Sequence, residues 1–399
     1  MLSGIRRGLL WSLPQNTLLG VGAEEDSLLR TALGLATMLV ITLLGLFGQS
    51  LTSVDTEELR SAVDAAALSS VTFSAAIGVI DRHQDRHVFC YSSSHAGADD
   101  VTEHSLFDIG SVTKTFTSAL LVRAVRLGLV DLEAPAQRYL PADEVTLPSL
   151  GDSEIRMIDL ATHTSGLPKR PQDSDYPLPP GFNPYNWYAA YTTKHIYEYL
   201  TDYCSLLSEP GTAWTYSNTG SGLLGHILGL VDGTSYWDLL DREILTPLGM
   251  SSTYMFLPDD RAADLAEGHN EAGSHAPPYT ANDILQGAGF LKSSLADMFL
   301  YVEASLGLTE TPLTDLFETT HRPRFQINDE LGSMGMDWLI RRLPDNQRIT
   351  YHAGRTGGYS AYVGFNSRLQ TGVIVLCNFS APGVATEIGE QILQIIPQY

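Results

Sequence analysis

Ser111 and Lys114 stand three positions apart in the run Phe107-Asp108-Ile109-Gly110-Ser111-Val112-Thr113-Lys114. At the start of a helix that spacing puts both side chains on one face, within reach of each other. The helix N-terminus adds a partial positive potential that favours an oxyanion at Ser111. A desolvated lysine beside a serine can have its pKa lowered until it accepts the hydroxyl proton, which makes Ser111 a candidate nucleophile for acyl transfer. The same pair also fits a capping serine next to a solvated lysine, so the spacing alone leaves both readings open.

Two further elements carry chemistry. In Tyr216-Ser217-Asn218, a tyrosine held near a lysine can act as general base or acid. An asparagine two residues on points the same way if the backbone is extended, and its amide can grip a substrate amide. Alone, this stretch is a turn with an aromatic. In His352-Ala353-Gly354, followed by Arg355-Thr356-Gly357-Gly358, small residues on an edge strand let an acyl substrate lie alongside the backbone. Backbone N–H groups there can supply half of an oxyanion hole, with Ser111 supplying the other half. Alone, this is a hairpin with glycines at its bend.

The elements that must position these residues are legible in outline. Residues 55–68 read as a helix with acids in the first turn. Residues 71–91 alternate and are rich in β-branched side chains, with a polar turn at 81–85, which predicts a hairpin. Residues 111–129 carry apolar positions at helical spacing (Phe116, Leu120, Leu121, Val125). From Asp131 to about Leu343 the chain reads as helical and loop-rich, with helices near 193–207, 221–231 and 294–306. Strand signals return at 349–352, 359–365 and 371–378, and a helix over 384–396 follows. Strands at both ends with helices between predict an α/β (α+β) fold. One antiparallel sheet is built from both chain ends and flanked by helices, with an inserted, mainly helical lobe and a cleft between.

The three motifs, in this order and in agreeing helix and strand contexts, resemble the class C β-lactamase and penicillin-binding serine hydrolase family. The likeness extends to Asp159-Leu160-Ala161-Thr162-His163-Thr164-Ser165-Gly166-Leu167-Pro168, Glu209-Pro210-Gly211, Pro247-Leu248-Gly249-Met250, Gly287-Ala288-Gly289-Phe290 and Val363-Gly364-Phe365, and covers roughly residues 71–395. It implies a β-lactamase/transpeptidase-like fold. Ser111 is then the acylated nucleophile, Lys114 its partner in proton transfer, and Tyr216 the base for acylation and the acid for the leaving group. Asn218 orients the substrate amide, His352 and Gly354 line the strand that holds the acyl group, and the Arg355 N–H joins the oxyanion hole. One departure matters. Efficient β-lactamases and carboxypeptidases of the family carry Lys-Thr-Gly at the third motif, where this chain has His-Ala-Gly. A neutral histidine lacks the fixed charge a lysine offers a substrate carboxylate, and Arg355 is the candidate replacement. The resemblance implies a serine hydrolase cleaving an amide or ester bond: a β-lactam, a D-amino-acid peptide or a carboxylic ester. The alternative is a catalytically idle module that recognises cell-wall peptides or a protein partner.

Composition excludes other classes. The chain of 399 residues carries 24 Lys+Arg against 46 Asp+Glu, a net charge of −22, which argues against a nucleic-acid partner. The partner expected is a small-molecule or peptide substrate. No G-x-S-x-G elbow, P-loop or dinucleotide fingerprint occurs, so no cofactor is expected. His83 and His87 read as surface histidines rather than a metal pair, leaving no metal site. His163, in its family-like turn, reads as a loop anchor. Cys90, Cys204 and Cys377 are far apart and read as buried, unpaired thiols. The Pro-dense, aromatic loop over 166–187 reads equally as a rim over the cleft or a packed surface loop.

Residues 31–54 are uncharged and mainly apolar, long enough for a membrane-spanning helix. Arg6, Arg7 and Arg30 on the N-terminal side favour an inside N-terminus. The expectation is a signal anchor over residues 1–54 that displays a hydrolase domain, 55–399, on the non-cytoplasmic side. A cleaved signal peptide and a secreted domain are the competing arrangement.

Overall fold

The computed structural model describes residues 73–396, apart from 93–99, 172–174, 184–185, 187 and 281–282. The expected anchor at 31–54 and the helix expected at 55–68 lie outside the described residues. Among the described residues no helix is long and apolar enough to cross a membrane.

The N-terminal hairpin forms as expected from β1 (Ser74–Ile80) and β2 (Arg86–Ser92), with the polar turn at Asp81–Asp85 closed by the Asp81 and Asp85 backbones. A short strand, β3 (Leu106–Asp108), leads into the Ser111 turn and then helix α1 (Thr113–Arg126). The inserted lobe holds α2 (Met157–Ala161), α3 (Thr193–Glu198) and α4 (Asn218–Asp232). It also holds β4 (Thr253–Tyr254), which with β5 (Lys292–Ser294) and β3 makes a small antiparallel sheet in the order β3-β5-β4. Helix α5 (Leu295–Leu306) returns the chain to the main sheet.

Three strands follow where the sequence suggested helices and loops: β6 (Phe325–Asn328), β7 (Gly332–Met334) and β8 (Leu339–Arg342). They are short and half-exposed, with too few residues to register a period-2 pattern. Then come β9 (Arg348–Arg355), β10 (Ser360–Asn366), β11 (Thr371–Cys377) and the C-terminal helix α6 (Val384–Ile395). The main sheet is antiparallel in the order β2-β1-β11-β10-β9-β8-β7-β6, so N-terminal β1 and C-terminal β11 do pair within one sheet.

Side chains alternate across that sheet. Ala75, Ile77 and Val79 of β1 and Val373 and Val375 of β11 pack with Ile388 and Ile392 of α6 on one face. Ile374 and Leu376 join Phe116, Leu120, Met298 and Phe299 from α1 and α5 on the other. Gly78 admits α5 closely, since a Cβ there would stand 2.6 Å from the Phe299 ring.

Of the cysteines, all unpaired, only Cys377 is buried; Cys90 is exposed and Cys204 half-buried, so the expectation of burial fails for two. Cys90 lies on β2, an edge strand whose alternate residues face solvent.

Candidate active site

Ser111 sits on a single 3-10 turn, Gly110–Val112, between β3 and α1. Both sides of this turn are pinned. Asp108 pairs with Lys292 across the small sheet, their charges 3.3 Å apart and buried, and Ile109 donates its N–H to the Leu291 carbonyl at 2.9 Å. Gly110 takes a left-handed φ of 49°, and a Cβ there would stand 2.7 Å from the Arg355 nitrogen. Only glycine fits.

Lys114, one turn along and fully buried, donates from Nζ to Ser111 Oγ at 3.0 Å and to the Ala288 carbonyl. Its Nζ lies 5.1 Å from the centre of the Tyr216 ring, and the Tyr216 hydroxyl is hydrogen-bonded with Ser111. Burial pulls the Lys114 amine down to about 7; the Asp337 carboxylate pulls it back up and the Lys169 charge pushes it further down. Burial pushes the Tyr216 hydroxyl upward from its ordinary range, with the Ser111 hydrogen bond opposing. Burial thus brings the amine toward neutrality and takes the phenol further from it.

Tyr216 and Asn218 flank Ser217, which caps α4 by accepting from the Gly220 N–H at 2.9 Å. Behind them is His163, fully buried with a φ of 57°. Its Nδ1 accepts from the Ser217 N–H at 3.2 Å, its carbonyl accepts from the Thr215 N–H at 2.7 Å, and its ring lies 4.4 Å from that of Tyr216. Asn218 donates from Nδ2 to the Tyr188 hydroxyl, and its buried Oδ1 has no hydrogen-bond partner among the described residues.

The third motif departs from the sequence reading in two ways. β9 is not an edge strand along its length: β8 pairs with it from Arg348 to Tyr351, and only the segment from His352 to Arg355 is open on that side. That open segment still borders the Ser111 turn. His352, however, turns its side chain inward: it is 3% exposed and its Nδ1 meets the Ala353 carbonyl at 2.8 Å. Burial, reinforced by the nearby Lys114 charge, holds His352 down to about 3, so it is neutral.

The cleft in front of Ser111 has a volume of about 700 Å³ and is lined by Ser111, Tyr216, Asn218, Tyr188, Tyr279, Ala353, Gly354 and Arg355, with Lys169, Arg170 and Glu271 at its walls. His352 is absent from that lining. The Arg355 guanidinium pairs with Glu271 at 2.6 Å. Lys169 and Arg170 come from the Pro-dense loop and Tyr188 follows it, so the described part of the loop borders the cleft rather than a remote surface.

Sequence reasoning missed Asp337, Tyr188 and the cavity cations Lys169 and Arg170. A signal for Asp337 was present: it is a lone acid in the apolar stretch Met334-Gly335-Met336-Asp337-Trp338-Leu339-Ile340.

The family described as "Beta-lactamase" matches residues 62–395. A "Beta-lactamase" of Pseudomonas fluorescens is 27% identical over 317 residues, 71% of this chain and 82% of the relative. A "D-alanyl-D-alanine-carboxypeptidase/endopeptidase AmpH" of Escherichia coli (strain K12) is 27% identical over 286 residues, 68% of this chain and 70% of the relative. Among solved structures, a class C beta lactamase from Rhodobacter sphaeroides superposes with a TM-score of 0.70 at 25% identity, covering 86% of this chain and 100% of that one.

Proposed function

The chain belongs to the Beta-lactamase family of serine hydrolases, and from that premise we propose that it works through an acyl-enzyme on Ser111, with Lys114 as its proton acceptor. The observation that carries this reading is the buried Lys114 amine, its proton affinity lowered by burial, hydrogen-bonded to Ser111 Oγ at the mouth of an open cleft. Lys114 takes the Ser111 proton as Oγ bonds to the substrate carbonyl carbon. The oxyanion formed meets the backbone N–H groups of Ser111 and Arg355, which border each other across Gly110 and Gly354. As the carbon–nitrogen or carbon–oxygen bond breaks, the proton passes from Lys114 through the Tyr216 hydroxyl to the leaving group. Water then hydrolyses the ester by the reverse route.

Asn218 Oδ1, an acceptor without a hydrogen-bond partner among the described residues, suits a substrate amide N–H. Lys169 and Arg170 bring positive charge to the cleft wall of a strongly acidic protein, while Arg355 is paired with Glu271; this suits a substrate bearing a carboxylate. β-Lactams and peptides ending in a D-amino acid share that chemistry, and the names of the relatives agree with it. That Ser111, Lys114 and Tyr216 stand together beside the cleft weighs against a binding-only role.

Intact mass spectrometry after incubation with a penicillin, beside Ser111→Ala, tests the reading. An adduct, or penicillin hydrolysis, in the wild-type chain only is expected; activity retained in Ser111→Ala overturns it. We also propose that residues 31–54 anchor the domain to a membrane, supported by their uncharged apolar run. Release of the full chain by carbonate washing alone would argue against this.

A further inference from the structure

A buried acid stands behind the site. Asp337, in the loop joining β7 to β8, is fully buried and has a left-handed φ of 54°. Both features are costly in a non-glycine, acidic residue, although aspartate tolerates that φ better than most. The loop backbone leaves it little freedom. The Asp337 N–H donates to the Ala161 carbonyl at 2.7 Å, and Gly335 and Met336 donate to Trp338 and Thr320.

The carboxylate is joined to α1 and α4, the helices beside which Lys114, Tyr216 and Asn218 stand. Its Oδ2 accepts from Ser118 Oγ at 2.6 Å. Ser118 is four residues after Lys114 on α1, on the same face one turn on. Its Oδ1 accepts weakly from Ser221 Oγ at 3.4 Å, and Ser221 is four residues after Ser217, between Tyr216 and Asn218. The same Oδ1 lies 3.4 Å from His163 Nε2. Because His163 Nδ1 accepts from the Ser217 N–H, a neutral ring carries its proton on Nε2, facing Asp337.

Resting on the acyl-enzyme reading above, we propose that Asp337 is a positioning residue: its carboxylate supplies the buried negative charge facing Lys114 and orients His163 behind Tyr216. Burial pushes the Asp337 carboxyl up to about 7 and so works against its charge; the Ser118 hydrogen bond, the Lys114 charge and the Ser221 hydrogen bond are what hold it toward the carboxylate. The other groups facing Lys114 are Ser111, the Ala288 carbonyl, Lys169, Tyr216, His163 and His352. His163 and His352 are held neutral by burial, so Asp337 is the anion opposing the Lys169 cation. Removing the carboxylate leaves Lys114 less able to hold a proton and weaker as a base.

The test is the rate of Ser111 labelling by a phosphonofluoridate probe against pH, on the full chain, for wild type, Asp337→Asn, Asp337→Gly and Ser111→Ala. Asparagine keeps the shape and glycine relieves the backbone, so at least one uncharged variant retains the loop. The expected result is an acid limb moved down by about one pH unit and a plateau rate lower by roughly tenfold. A merely structural role would reduce the labelled fraction and leave the limb where it was. An unmoved limb in either folded variant overturns the inference while leaving Ser111 as the nucleophile. Labelling that survives Ser111→Ala, or a wild type that does not label, overturns the acyl-enzyme reading itself and this inference with it.

Discussion

Gly354 rests against the carbonyl of Ile109: a Cβ on that glycine would stand 1.9 Å from the Ile109 oxygen and 3.0 Å from the Ser111 nitrogen. The obstructing atoms are backbone, so no side-chain rotation relieves the clash. Gly354→Ala must push β9 away from the Ser111 turn, and with it the Arg355 N–H. Stability should fall by about 1–3 kcal/mol, as for other overpacked sites. Acylation should fall by roughly 10²-fold, because a displaced oxyanion donor no longer meets the developing charge. Unfolding curves and acylation rates for this variant check both parts; wild-type values for both would show that β9 does not need this approach.

Lys114→Met separates chemistry from packing. The amine is fully buried, and methionine fills a similar volume without a charge to desolvate. Acylation should slow by about 10²–10⁴-fold, the usual worth of a positioned proton acceptor. Circular dichroism should be unchanged. An acylation rate within a few-fold of wild type would assign the proton to another group.

The legible part of this molecule was the part written in local spacing. Ser111 and Lys114 share a helix face, and Tyr216 and Asn218 sit at a helix start, so their types and intervals already limit their chemistry. The central strands β1, β10 and β11 are long and apolar enough to announce themselves. The role of Asp337 was not legible because it depends on two hydroxyl partners, Ser118 and Ser221, 219 and 116 residues away, and on the distant His163 ring. The inward turn of His352 was hidden for a related reason. Alternation along β9 assigns it a face, but only the packed structure shows that the side chain is buried, within reach of the Lys114 charge and away from the cleft lining.

That inward turn relocates carboxylate recognition. A lysine at position 352 would face Lys114 rather than the cleft lining, so His352→Lys should not lower KM for carboxylate-bearing substrates. The cleft's own cations should carry that role: Lys169→Ala and Arg170→Ala should each raise KM by about tenfold with little change in kcat, because they bind a remote group rather than the reacting carbon. Steady-state kinetics on a substrate and its uncharged carboxamide analogue distinguish the cases. Equal KM increases on both would remove the carboxylate from the argument.

Buried neutral histidines should set the acid limit of the fold. Burial holds His226 down to about 4, His321 and His352 down to about 3, and His163 well below its ordinary range. In the unfolded chain each titrates near 6.5. Between these values the unfolded state binds more protons than the folded one, so stability rises with pH in that window and is lost as pH falls from about 6.5 towards 3. Above 6.5 these groups contribute no slope. His321 isolates one share of the effect. Its Nε2 is buried without a hydrogen-bond partner among the described residues, and its ring lies edge-on to Trp338 at 5.2 Å and Phe365 at 4.9 Å, a site phenylalanine suits. His321→Phe should reduce the slope of unfolding free energy between pH 4 and 6 by up to about 1.4 kcal/mol per pH unit, while leaving it unchanged above pH 7. Urea unfolding at a series of pH values measures that slope directly, and identical slopes for the variant and wild type would mean that His321 titrates alike in both states.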